Sequence, residues 1–313
     1  MKTAFIFPGQ GAQYVGMGLE ISEKYDVAKK TFLEANEALG FDIKKLCFEG
    51  PKEELVKTEI TQPAILTTSV AILRVLESLG LSAETTAGLS LGEYASLVYS
   101  EVFNFSDAVR LVNKRGKYMQ EAVPLGKGTM AAIIGLDREE VEDITKKVSN
   151  EKGIVECANY NCPGQIVISG EVDPVEKSCE LAKEKGAKRA LVLPVSAPFH
   201  SSLLTPAGDK LEKELNKVNF GKMNKKVISN VTGDYIKDTK EIKDLLIKQV
   251  SMPVLWEDTV NLMLNDGIDT FIEIGPGKSL RSFVKKTARK RKAKVNCSNI
   301  ENLKGLNKLL EKL

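Results

Sequence analysis

Short β-branched or aromatic runs alternate with stretches of helical periodicity along most of the 313-residue chain. That alternation restricts it to an α/β fold with a mainly parallel sheet. Strands are predicted at 3–7 (TAFIF), 85–89 (TTAGL), 227–231 (VISNV) and 269–274 (DTFIEI). Between the first two, apolar residues recur at helical spacing over 65–79, and Gly80 stands where a C-cap belongs. The rhythm changes at Gly128. A strand (TMAAIIG) leads to a charged helix (REEVEDITKKV), then two strands, IVECANY and QIVISG, parted by turn residues 161–164. A second helix (PVEKSCELAKEKG) and a last strand (ALVLPV) complete the order βαββαβ, the split pattern of a ferredoxin-like unit. The expected organisation is a larger α/β domain, 1–124 and 196–313, with a small ferredoxin-like domain, 125–195, inserted into it. The length agrees, at roughly 150 residues per domain.

The chain holds one histidine, His200. Zinc sites built on two or three histidines are excluded, no metal ligand set is expected, and any imidazole chemistry near neutral pH has a single candidate. Five cysteines, odd in number and never spaced CxxC, suit reduced thiols in a cytoplasm. The apolar start, AFIF, is too short for a signal peptide, and no run approaches the ~18 apolar residues of a spanning helix. A cytoplasmic protein with no membrane partner is expected. The net charge is +3, but residues 281–294 carry eight basic residues and no acid, so the rest of the chain stands at 3 minus 8, or −5. That segment, which includes Lys285, Lys286, Arg289 and Arg291, reads either as a solvated helix face or as a docking patch for an acidic partner. It lacks aromatic interleaving and any base-reading motif, so nucleic acid is not expected.

Residues 88–92 read GLSLG, a GxSxG pattern after a short strand and before a helical segment (EYASLVYS). In a nucleophile elbow the glycines permit a sharp turn that exposes the serine oxygen, here that of Ser90, at the N-terminus of the next helix. The helix dipole and the following N–H then favour a developing oxyanion. A serine hydroxyl needs a base, and His200, in SAPFHSSL, is the only imidazole available. No acid stands out as a third triad member, so the histidine's orienting partner is left as a carboxylate or a backbone carbonyl. Residues 8–13 (PGQGAQ) fail both nucleotide fingerprints, yet such a loop can supply a second oxyanion N–H. The segment 275–279 (GPGKS) likewise lacks the first P-loop glycine and reads as a strand-to-helix turn. From Ser106, a helical stripe runs through Ala108, Leu111, Val112, Arg115 and Met119. A guanidinium on that apolar side requires an anion, either a protein carboxylate or a substrate carboxylate.

The motifs FPGQGAQYVGMG, AGLSLGEYASL, the Arg115-Gly116 pair, NYNCPGQIVISG, PFHS, SNVTG, QVSMPVLW and EIGPGKSL together resemble the malonyl-CoA:acyl carrier protein transacylase family, over nearly the whole chain and in the family's order. The resemblance implies an acyltransferase of fatty acid biosynthesis and lipid metabolism, with a hydrolase-like domain plus the ferredoxin-like insertion. It implies ping-pong transfer from malonyl-CoA, through a malonyl-serine at Ser90 activated by His200, to the phosphopantetheine thiol of acyl carrier protein, with no cofactor. It places the oxyanion donors at the backbone of Gln10 and Leu91, the carboxylate anchor at Arg115 and the histidine-orienting carbonyl at Gln249. Asn161 lies in a matching motif near the site, and bulky Phe199 would crowd an α-methyl branch. The basic segment then becomes a candidate dock for the carrier protein. One position departs from the family's usual GHSxGE: Leu89 stands where the family carries histidine. Two other readings share these residues, a serine esterase or thioesterase and a catalytically silent carrier-protein docking module. A buried Arg115 argues against the first and intact Ser90 and His200 against the second.

Overall fold

The computed structural model describes residues 2–195 and 197–311. The expected domain limits at 1, 196 and 313 fall on or beside positions outside the described residues. The larger sheet contains β1 (Thr3–Phe7), β2 (Thr85–Gly88), β7 (Lys226–Ile228), β8 (Thr270–Ile274) and β9 (Asn296–Ile300). Its order is β7-β2-β1-β8-β9, with every neighbouring pair parallel. The sequence of β1 explains its central place. Phe5 and Phe7 enter the core on one side of the sheet, and Ala4 and Ile6 enter a second core on the other. A strand apolar on both faces must be covered on both. The layers are therefore helix, sheet, helix.

The second sheet is built from β3 (Gly128–Ile134), β4 (Val155–Cys162), β5 (Gln165–Glu171) and β6 (Arg189–Val192), in the order β4-β5-β3-β6 and antiparallel throughout. The helices Arg138–Lys152 and Val172–Glu184 cover one face, where Ala131, Ile133, Ile166 and Ile168 are buried with Val141 and Val175. Met130, Ala132 and Val167 turn the opposite way and join the core of the larger sheet. Main-chain hydrogen bonds extend this junction: Tyr160 N–H donates to the Val254 carbonyl (2.9 Å) and Val254 N–H to the Ala158 carbonyl (2.8 Å). The exposed Arg138–Asp258 pair (3.0 Å) spans the same seam, but solvent screening leaves it a small share of the attachment.

Several expected boundaries move. The helix expected over 65–79 runs Thr58–Ser78, although Pro63 lies inside it. Proline supplies no N–H to the Glu59 carbonyl, and the Asn113 side chain donates to that carbonyl instead, at 2.8 Å. Asn161, expected in a turn, is within β4, whose irregular register carries it onward. The strand expected over 190–195 ends at Val192, and residues 193–195 leave the sheet to line the central cavity. The strand predicted over 227–231 ends at Ile228.

Candidate active site

The elbow is dictated by its glycines. A Cβ at Gly88 would run into the Gly92 backbone, and one at Gly92 into the Phe7 carbonyl. Between them Ser90 takes φ 53°, a left-handed conformation that non-glycine residues rarely hold without support. Asn230, two residues past β7, supplies that support: its Oδ1 accepts from the Ser90 N–H and its Nδ2 donates to the Gly88 carbonyl at 2.7 Å. The hydroxyl is thereby fixed at the start of the helix Gly92–Tyr99.

His200 is buried and also left-handed, with φ 58°. Its Nε2 lies 2.7 Å from Ser90 Oγ and its Nδ1 2.8 Å from the Gln249 carbonyl oxygen. Gln249 ends the helix Ile242–Gln249, where a carbonyl has no partner within the helix. A carbonyl only accepts, so Nδ1 carries the proton and Nε2 is the base facing the hydroxyl. Burial, reinforced by the Arg115 charge, lowers the imidazole to about 4. It is neutral near pH 7 and able to take a proton.

Arg115 is only 1% exposed. The whole expected stripe, Ala108, Leu111, Val112, Arg115 and Met119, is buried on the helix Phe105–Glu121. Gly116 lets that helix come close, because a Cβ there would sit 2.6 Å from the Thr58 carbonyl oxygen. This approach carries the guanidinium to the helix Thr58–Ser78. Nη1 donates to Gln62 Oε1 (2.9 Å), while Nη2 donates to Ser90 Oγ and to Gln249 Oε1 (both 3.0 Å). Among the described residues it has no carboxylate within ion-pair distance, so the structural salt bridge that sequence left open is not made. Its planar fork faces neutral oxygens beside the nucleophile.

These groups open into a cavity of about 1150 Å³ that Ser90, Arg115 and His200 line together with Gln10, Leu91, Asn159, Asn161, Phe199 and Phe283. Among the described residues, the main-chain N–H groups of Gln10 and Leu91 meet no acceptor. Gly9 brings the first loop against the elbow, since a Cβ there would lie 2.5 Å from the Leu89 carbonyl oxygen. Leu89 itself is half-buried against the core that holds Ala4 and Ile6. Of the expected site residues, Ser90, His200, Arg115 and Gln249 are joined by hydrogen bonds, whereas Gln10, Leu91, Asn161 and Phe199 line the same cavity. Lys285, Lys286, Arg289 and Arg291 are exposed on or just beyond the helix Ser279–Lys290, whose first turns also line the cavity. No group of three or more metal-ligating side chains occurs among the described residues. None of the described helices is long and apolar enough to cross a membrane.

Gln62, Asn230 and Asn159 also belong to the site without a strong signature in the sequence. A polar residue inside the apolar run ITQPAIL, and the asparagine of SNVTG at a strand end, were the available signals. The arrangement can activate a serine, stabilise an oxyanion and bind an anion within reach of both.

The acyl transferase domain family matches residues 4–309. The malonyl CoA-acyl carrier protein transacylase of Bacillus subtilis is 50% identical over 291 residues, covering 93% of this chain and 92% of that protein. The crystal structure of the enzyme of the same name from Clostridium perfringens superposes with a TM-score of 0.95 at 51% identity, over 100% of this chain and 97% of that one. A malonyl-transacylase solved in complex with a type II polyketide acyl-carrier protein superposes with a TM-score of 0.96 at 41% identity, over the full length of both. The chain therefore belongs to the acyl transferase domain family, within its malonyl CoA-acyl carrier protein transacylases.

Proposed function

We propose that this protein transfers the malonyl group from malonyl-CoA to the phosphopantetheine thiol of acyl carrier protein through a malonyl-Ser90 intermediate, supplying fatty acid synthesis. His200 Nε2 takes the Ser90 proton as Oγ attacks the thioester carbonyl. The oxyanion is received by the Gln10 and Leu91 N–H groups, donors held in place before charge develops. Collapse expels coenzyme A, whose sulfur takes the proton back from the imidazolium. In the second half the carrier's thiol gives its proton to His200 and its sulfur attacks the ester, and Ser90 leaves reprotonated. The Gln249 carbonyl holds the imidazole in the tautomer that both halves require.

The observation that carries the reading is the buried guanidinium of Arg115, unpaired with any carboxylate among the described residues and 3.0 Å from the nucleophile. A malonyl carboxylate is one methylene from the attacked carbonyl, so a cation this close to Oγ suits a short acyl chain ending in a carboxylate. An esterase has no use for such a cation, and a silent docking module has none for the Ser90–His200 pair. Asn161 lines the acyl and pantetheine path, and Phe199 restricts branching at the α-carbon. The exposed basic residues Lys285, Lys286, Arg289 and Arg291 receive the acidic carrier protein, since their helix begins at the cavity wall. The same reading places catalysis in 1–124 and 196–313 and treats 125–195 as the small domain closing the cavity. The reaction needs no cofactor, and the protein works in the cytoplasm.

Arg115→Ala tests this. Removing one member of a buried charge pair costs about 2–5 kcal/mol, so Ser90 malonylation should fall by roughly 30- to several-thousand-fold. Acylation by an uncharged acyl-CoA should fall far less, and equal loss for both would remove the carboxylate role.

A further inference from the structure

The carboxylate of Glu93 takes no part in the chemistry above, yet it is buried at the heart of the site, 1% exposed. It stands in the first turn of the helix that follows Ser90. Oε2 accepts from Gln249 Nε2 at 2.7 Å and from the Asn230 N–H at 3.0 Å, and Oε1 has no hydrogen-bond partner among the described residues. No lysine or arginine among the described residues pairs with it. Arg115 and Tyr94 are the ionisable groups that act on it, and burial raises it to about 7. Burying a carboxylate without an ion pair is costly, so its position calls for a physical reason.

The contacts of Gln249 provide one. A carboxamide can be mounted in either of two orientations, and its neighbours decide which. Here Nε2 donates to Glu93 Oε2 and to the Ser90 carbonyl (3.1 Å), which leaves Oε1 facing Arg115 Nη2 at 3.0 Å. Turned over, the amide would set NH2 against the guanidinium, donor against donor, and its oxygen against the Glu93 oxygen. The Glu93 acceptor, the shorter of the two contacts at Nε2, thus acts with the Ser90 carbonyl to set which end of Gln249 meets Arg115.

We propose that Glu93 is a positioning residue for acyl selection: by orienting the Gln249 carboxamide it holds Arg115 beside Ser90 Oγ, ready for a carboxylated acyl group. This rests on the malonyl-transfer reading. The acceptor oxygen matters rather than the charge, so a glutamine at this position can serve and an apolar side chain cannot.

The test is single-turnover acylation of Ser90 by malonyl-CoA and by acetyl-CoA in the full chain, with folding followed by circular dichroism. Glu93→Met keeps the volume and removes the acceptor. Leaving the Gln249 amide donor without its buried acceptor should lower malonyl transfer about 5- to 100-fold and acetyl transfer by less than about threefold. Glu93→Gln should restore the malonyl preference. A folded Glu93→Met variant that loses both donors equally, or neither, overturns the proposal, since general damage to the fold would not change the ratio. Should Glu93→Met fail to fold, Gln249→Met reads the same contact from its other end. It keeps the backbone carbonyl that His200 uses, and it must show the same collapse of the malonyl-to-acetyl ratio; an unchanged ratio overturns the proposal. A wild-type chain that takes no malonyl group at all refutes the parent reading instead.

Discussion

Lowering the pH from 8 towards 4 should leave acylation almost untouched until unusually acidic solution. Burial and the Arg115 charge take His200 from its ordinary 6.5 to about 4. At pH 5 an imidazole titrating at 4 is about 90% neutral, whereas one titrating at 6.5 is only about 3% neutral, a difference of roughly 30-fold in available base. The acid limb of kcat/KM reports the free enzyme, so single-turnover malonylation of Ser90 should be flat down to about pH 5 and half-maximal near 4. Stability must be followed in parallel. The unfolded chain binds a proton at His200 between 6.5 and 4 and the folded chain does not, so this group's contribution is full above 6.5 and falls as the pH drops to 4, by on the order of 3 kcal/mol. Glu93, raised to about 7, has the opposite sign: its contribution is full below 4.5 and is lost as the pH rises through 7. A reversible acid midpoint near 6.5, measured while circular dichroism still shows native structure, would refute the burial of a neutral His200.

Other perturbations follow from single contacts. Gly92→Ala drives a methyl into the Phe7 carbonyl, so it should cost several kcal/mol and remove Ser90 acylation; a native melting curve with full activity would contradict the elbow's packing. Phe199→Ala should raise methylmalonyl relative to malonyl transfer in competition assays, and an unchanged ratio would clear Phe199 of restricting the α-carbon. Replacing Lys285, Lys286, Arg289 and Arg291 by glutamate should raise the KM for carrier protein, more so at low salt, while leaving transfer to a small thiol unchanged. An unchanged carrier KM would place the docking surface elsewhere.

What could be read from sequence was whatever is local. The elbow needs two glycines four residues apart, the buried guanidinium shows in a helical stripe, and the base follows by elimination because His200 has no rival. The βαββαβ order was equally legible, since each of its elements carries its own periodicity. The contacts that complete the site were not legible. Gln62 meets Arg115 across 53 residues, and Asn230 reaches Gly88 across 142. No local pattern encodes pairings of that range. Only the family resemblance points to Gln249, for any helix-terminal carbonyl can face a histidine. The strand β9 leaves no strand signal in the sequence because NCSNI is mostly polar and lies at the sheet edge, exposed enough to lack an apolar signature.

The most direct measurement is peptide mass spectrometry after brief exposure to malonyl-CoA. A malonyl adduct should appear on the peptide carrying Ser90, be absent from Ser90→Ala and His200→Ala, and vanish on adding phosphopantetheine-loaded acyl carrier protein as the carrier gains the group. An adduct elsewhere, or one that water removes as fast as the carrier protein does, would contradict acyl transfer through Ser90.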